Sequence, residues 1–227
     1  TSNITVAQIN TFIMSPILCS GDSSGVLEAL NPNMNVGFNY TWRDLSGNVV
    51  SNITTASNLS AGTYVLYADY HSNGVFMLGC TATDTATVTE VPIIDPSAVI
   101  THVDCFGNST GMLQGSVQGG TPPYNILWTP GGAGAQLNNL QAGIYALTIT
   151  DANVCQQADT FEVTQPQVLF ASITQSGYVL TASNPTGGTP PYSYSWREQS
   201  QSNVELGVGL TYIVSSDGVY YLQVTDA

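Results

Sequence analysis

The chain has 227 residues, 43% of them hydrophobic, and a formal net charge of -13 from 15 acidic residues against 2 basic ones. Arg43 and Arg197 are its whole basic complement, so nucleic-acid binding and adsorption to anionic lipid are excluded, because both need cations to neutralise phosphates. No run approaches the ~18 consecutive apolar residues of a spanning helix, and direct membrane insertion is not expected. Ser, Thr, Asn and Gln must supply most of the polar surface, a composition that suits a secreted protein.

The first stretch of the chain carries Cys19-Ser20-Gly21 and Gly25-Val26-Leu27. Phe38 and Tyr40 then precede Trp42, and Leu59-Ser60-Ala61-Gly62-Thr63-Tyr64-Val65-Leu66 and Cys80 follow it. The same scheme returns as Cys105-Phe106-Gly107, Gly111-Met112-Leu113, Gly119-Gly120-Thr121-Pro122-Pro123-Tyr124 with Trp128, Leu140-Gln141-Ala142-Gly143-Ile144-Tyr145-Ala146-Leu147, and Cys155. A third copy keeps Gly187-Gly188-Thr189-Pro190-Pro191-Tyr192, Trp196 and Gly218-Val219-Tyr220-Tyr221-Leu222, but neither cysteine. Repetition of this kind marks tandem modules. It sets units at 1–92, 93–166 and 167–227, with Pro92, Pro96 and Pro166 at the junctions.

Within each unit, short segments alternate apolar and polar residues between Gly, Pro and Asn turns, the period of half-buried strands. Tyr145, Leu147 and Ile149 face one way; Ala146, Thr148 and Thr150 face the other. The expected fold is all-β: tandem immunoglobulin-like β-sandwich repeats in a linear rod. Three sandwiches end to end span on the order of 100–120 Å at strand rise. Trp42, Trp128 and Trp196 are the expected core anchors, with Tyr64, Tyr145 and Tyr220 burying their rings at strand starts. Pro-Pro removes two backbone donors and belongs in the entering loop. The third unit stops at Thr225-Asp226-Ala227, which aligns with Thr150-Asp151-Ala152, so it is expected to be truncated before its last strand.

Four cysteines allow three connectivities. The simplest pairs them within units, Cys19 with Cys80 and Cys105 with Cys155. A metal site is the rival, with no Cys-x-x-Cys or adjacent His to support it.

The pattern Cys-x-Gly-x-x-x-Gly-x-Leu, Gly-Gly-Thr-Pro-Pro-Tyr-x-x-x-Trp, and Leu-x-Ala-Gly-x-Tyr-x-Leu-x-Ile-Thr-Asp-Ala-x-x-Cys resembles the SprB repeat of very large surface adhesins of Bacteroidetes. The resemblance is close over 103–166, looser over 17–91, and in 168–227 begins only at Gly-Gly-Thr-Pro-Pro-Tyr. It implies export by the type IX secretion system and display on the surface of a Bacteroidetes-type bacterium. It also implies a non-catalytic part in adhesion, gliding or a surface filament. The implied partners are neighbouring repeats of the same chain, with surface glycans or other adhesin subunits as further candidates. It brings no catalytic or binding residues with it.

Other candidates are weaker. His71 and His102 lie in different units and offer no catalytic constellation, so no enzyme activity is expected. Asp95 and Asp104 near the first junction are candidate calcium ligands, without the dense acidic run that calcium loops use; no cofactor is otherwise expected. Thr85, in Asp84-Thr85-Ala86, fits an O-glycosylation pattern of Bacteroidetes. The alternative function is a carbohydrate-binding module of a secreted multidomain enzyme, with Tyr67, Tyr70 and Tyr221 as candidate sugar contacts.

Overall fold

A computed structural model describes residues 9–30, 37–72, 75–201 and 204–227. The described chain is all-β apart from one 3-10 turn, Gln199–Gln201. No helix among the described residues is long and apolar enough to cross a membrane.

Strands β1 (Asn10–Ser15), β2 (Gly25–Leu30), β3 (Gly37–Asp44), β4 (Val49–Ser51), β5 (Thr55–Leu59), β6 (Gly62–Ser72) and β7 (Val75–Val88) form two sheets, ordered β1-β2-β5 and β4-β3-β6-β7. Next come β8 (Asp95–Thr101), β9 (Gly111–Gln118), β10 (Asn125–Thr129), β11 (Gly132–Ala133), β12 (Gln136–Leu140), β13 (Gly143–Thr150) and β14 (Gln156–Val163), in sheets ordered β12-β9-β8 and β11-β10-β13-β14. Finally β15 (Ile173–Ser176), β16 (Val179–Ala182), β17 (Ser193–Glu198), β18 (Gly207–Val208), β19 (Thr211–Ile213) and β20 (Tyr220–Thr225) give β15-β16-β19 and β18-β17-β20. Each sheet draws its strands from one sequence repeat. β20 pairs with β17, and where β7 borders β6 and β14 borders β13, no strand borders the outer side of β20 among the described residues.

By compactness the chain divides into two units. The first comprises 1–96, 117–125 and 148–157; the second comprises 97–116, 126–147 and 158–227. In the first, Leu27 and Ala29 of β2 and Ala56 and Leu59 of β5 meet Trp42 of β3, Leu66 and Ala68 of β6, and Val88 of β7 in one core. The two sheets therefore pack face to face, with alternate residues inward, the arrangement a pleated strand dictates. The β3–β4 turn is closed by Asp44, whose carboxylate accepts from the backbone N–H and side-chain amide of Asn48, at 2.9 and 2.8 Å. Those two bonds hold the carboxyl below the usual carboxylate range.

In the second unit, Trp128 of β10 is 1% exposed and meets the Phe161 ring of β14 edge-on, with centroids 5.9 Å apart. Gly115 of β9 lies under that indole; a Cβ there would come within 2.9 Å of its Cζ2. The same unit holds a smaller core in which Leu180 and Ala182 of β16 pack with Trp196 of β17, bordered by Tyr212, Tyr220 and Leu222.

The three tryptophans share one role. Each is buried, and each indole N–H donates to a backbone carbonyl beyond its strand: Trp42 to Thr54 at 3.3 Å, Trp128 to Gly134 at 3.1 Å, Trp196 to Gly209 at 2.9 Å. The three tyrosines are equally alike, each hydroxyl donating to the carbonyl four residues earlier: Tyr64 to Ser60, Tyr145 to Gln141, Tyr220 to Ser216. Tyr64 and Tyr145 are buried, while Tyr220 is half-buried.

Candidate functional site: a repeated junction cradle

The most elaborate polar construction in the chain surrounds the Gly-Gly-Thr-Pro-Pro-Tyr loop. In the first unit Gly120 N–H donates to the Pro92 carbonyl at 2.8 Å, and Tyr124 Oη donates back to Gly119 O at 2.7 Å. Gly119 and Gly120 have φ of +69° and +63°. A Cβ on Gly119 would run into the Ile93 carbonyl, and one on Gly120 would meet Ile94 Cγ1 at 2.7 Å. Both glycines are therefore required twice over, by the left-handed backbone and by close approach of the preceding chain. The loop is a saddle on which residues 92–94 rest.

Asp151 holds the saddle from below. It is 5% exposed, the one buried charged residue among those described. Its carboxylate accepts from the backbone N–H groups of Thr121, Asn153 and Cys155, each at 2.9 Å. A buried carboxylate with three aligned donors is satisfied without a cation. Ala152 N–H returns a bond to Thr121 O at 2.9 Å. The turn this creates, with Val154 at φ +67°, carries Cys155 outward.

Cys155 is bonded to Cys19, with Cα atoms 5.5 Å apart across 136 residues of sequence. This corrects the within-repeat pairing expected above. Cys19 is not joined to Cys80, nor Cys105 to Cys155; Cys105 is a free, half-buried thiol. Cys80 lies in β7, and its side chain falls outside the described residues. The physical reason is geometric. Cys19 sits in a tight turn, with Asp22 N–H donating to Cys19 O at 3.2 Å and Gly21 N–H to Glu90 Oε2 at 2.7 Å. That anchorage places it at the end of its sandwich occupied by the 92–94 linker and the Cys155 turn. A bridge needs Cα atoms within about 7 Å, and the partner within reach belongs to the next repeat. Asn153 adds Nδ2–H bonds to Leu18 O at 3.3 Å and Thr121 Oγ1 at 3.0 Å.

The remaining candidates are placed as follows. Asp104 accepts from the Cys105 N–H, the Thr110 hydroxyl and the Asn108 amide, and the latter two side chains hold its carboxyl below the usual range. Asp95 begins β8 and is exposed. Among the described residues no three His, Cys, Asp or Glu side chains gather as a metal cluster. His102 Nδ1 accepts the Thr164 N–H at 3.0 Å. The His71 side chain lies outside the described residues. Thr85 is exposed on β7, and Tyr67 lies under the Arg43 guanidinium, 5.9 Å from the ring centroid. Tyr70 is half-buried against Phe38, centroids 5.8 Å apart, and Tyr221 is exposed.

Sequence reasoning did not find Asp151 as the hub. The signal was present in the paired Thr-Asp-Ala triplets at 150–152 and 225–227.

Part of this junction, the Gly119–Tyr124 loop, lies within a stretch that matches a known repeat family. Residues 97–133 match the SprB repeat. The SprB repeat is associated with cell-surface proteins. No curated protein sequence matches the chain. Among solved structures, it is similar to an amphioxus IgVJ-C2 molecule at 14% identity, covering 70% of this chain and 97% of that one, with TM-score 0.29. A C-terminal fragment of intimin, solved in complex with the intimin-binding domain of its translocated receptor, is 9% identical over 74% of this chain and 66% of that one, with TM-score 0.33. The N-terminal four Ig domains of Dscam1 isoform 6.44 are 14% identical over 98% and 70%, with TM-score 0.27.

Proposed function

We propose that this chain is a non-catalytic repeat segment of a large secreted adhesin or surface filament of a Bacteroidetes-type bacterium, exported by the type IX system and acting as a stalk in adhesion and gliding. The observation that carries the reading is the SprB-repeat match over residues 97–133. Two features support it. The disulfide Cys19–Cys155 joins consecutive repeats, and structural disulfides belong chiefly to oxidising, extracytoplasmic compartments. The junction site supports chain connectivity, because Asp151 spends its carboxylate on three backbone N–H groups.

The stalk role follows mechanically. A pull on the chain ends loads the Cys19–Cys155 bond instead of the strands between, so the enclosed segment is shielded from extension. The test uses living cells. An antibody raised against this chain should label intact bacteria, surface proteolysis should remove the label, and deletion of the parent gene should reduce attachment or gliding. Label that appears only after lysis overturns the reading.

A further inference from the structure

The junction just described exists twice. Gly187 and Gly188 have φ of +69° and +63°, the values of Gly119 and Gly120. Gly188 N–H donates to Gln167 O at 2.8 Å, as Gly120 does to Pro92. A Cβ on Gly187 would run into the Val168 carbonyl, as one on Gly119 would into that of Ile93. Tyr192 Oη donates to Gly187 O at 2.7 Å, Thr189 N–H to Asp226 Oδ2 at 2.8 Å, and Ala227 N–H to Thr189 O at 3.0 Å. Each bond copies one made by Tyr124, Thr121 and Ala152.

The cysteine turn is copied too. Asn108 N–H donates to Cys105 O at 3.1 Å, as Asp22 does to Cys19. Gly107 N–H is received by Gln165 Oε1 at 2.8 Å, as Gly21 N–H is by Glu90 Oε2. Cys105 then lines a cleft of about 240 Å³ with Gln167, Leu169, Gly188 and Asp226. Cys19 lines the equivalent cleft, about 350 Å³, with Pro92, Ile94, Gly120 and Cys155. One junction thus holds a closed disulfide; the other holds the same half of it, anchored in the same way.

We propose that Cys105 is the first half of a second cross-repeat disulfide, whose partner is a cysteine four residues after Asp226, the spacing of Cys155 from Asp151. Ala227 occupies the place of Ala152, and a turn built like Asn153-Val154-Cys155 would bring that sulfur to the Cys105 cleft. Successive repeats would then be joined by a ladder of identical staples, first cysteine of one repeat to last cysteine of the next. Formation removes two thiol hydrogens. The two electrons and two protons pass to a disulfide oxidant of the thiol-oxidoreductase class, or in vitro to one oxidised glutathione, which leaves as two reduced molecules.

The test extends the full chain past Ala227 by Asn-Val-Cys and equilibrates it in a glutathione redox buffer, followed by peptide mapping without reduction. The Cys19–Cys155 linkage in the same map reports that the junction chemistry and fold are intact. Cys105 should be found linked to the added cysteine, with an effective concentration on the order of millimolar or above. The same extended chain carrying Asp226→Ala, which unpins the turn, should lower that effective concentration at least several-fold. A map with Cys19–Cys155 formed and Cys105 free, intermolecularly linked or joined to Cys80 overturns the proposal. So does a map in which neither cross-repeat bond forms, because the first staple is the template for the second.

Discussion

Reduction of the Cys19–Cys155 bond should lengthen the chain under force by a calculable amount. The bond spans 136 residues, and a fully extended chain covers about 3.3–3.6 Å per residue. Oxidised protein pulled from its ends should therefore conceal roughly 450–490 Å of contour, which appears only after reduction. Atomic force microscopy on single chains, with and without a phosphine reductant, reads this directly. Cys19→Ser should give the reduced contour without reductant. Within-repeat pairing would hide 61 and 50 residues, roughly 370–400 Å in two separate steps, and the single-chain traces separate the two cases. Equal contour lengths before and after reduction would refute the reasoning.

Gly119→Ala should destabilise far more than Gly47→Ala. Both sites have positive φ, but a Cβ at Gly47 meets nothing within 4 Å whereas one at Gly119 strikes the Ile93 carbonyl. The backbone penalty alone is about 1–2 kcal/mol, and loss of the Gly120–Pro92 bond adds about 1 kcal/mol; denaturant titration of the two variants gives the difference. Asp151→Ala leaves three backbone donors short of their acceptor and should cost roughly 3 kcal/mol or more, read by the same titration and by faster reduction of Cys19–Cys155. Asp104 should titrate below the ordinary carboxylate range, because its folded carboxyl is held down by Thr110 and Asn108. Its contribution is present above the unfolded pKa and lost as pH falls through the lower folded value; an NMR titration of Asp104 against Asp104→Asn checks this.

The fold was legible because its signals are local. Alternation at Tyr145, Leu147 and Ile149 puts all three in the interior, and the repeated Trp and Ala-Gly-x-Tyr positions carry identical hydrogen bonds in each repeat. The junction was legible only in part. Pro122-Pro123 reads correctly as a loop, yet nothing in that loop says which backbone it supports, since Pro92 and Ile93 are ordinary residues brought under it by chain reversal. The disulfide was misread for the same reason. Spacing within a repeat says which cysteines are near in sequence, whereas pairing depends on which end of each sandwich a turn occupies. Cys19 and Cys155 occupy one end from different repeats, and only the three-dimensional path of the linker reveals it.

Peptide mapping of the oxidised chain without reduction reads how consecutive repeats are joined. The map should show a Cys19 peptide linked to a Cys155 peptide and Cys105 alkylatable in the unfolded, unreduced protein. Cys19 linked to Cys80, with Cys105 linked to Cys155, would contradict it.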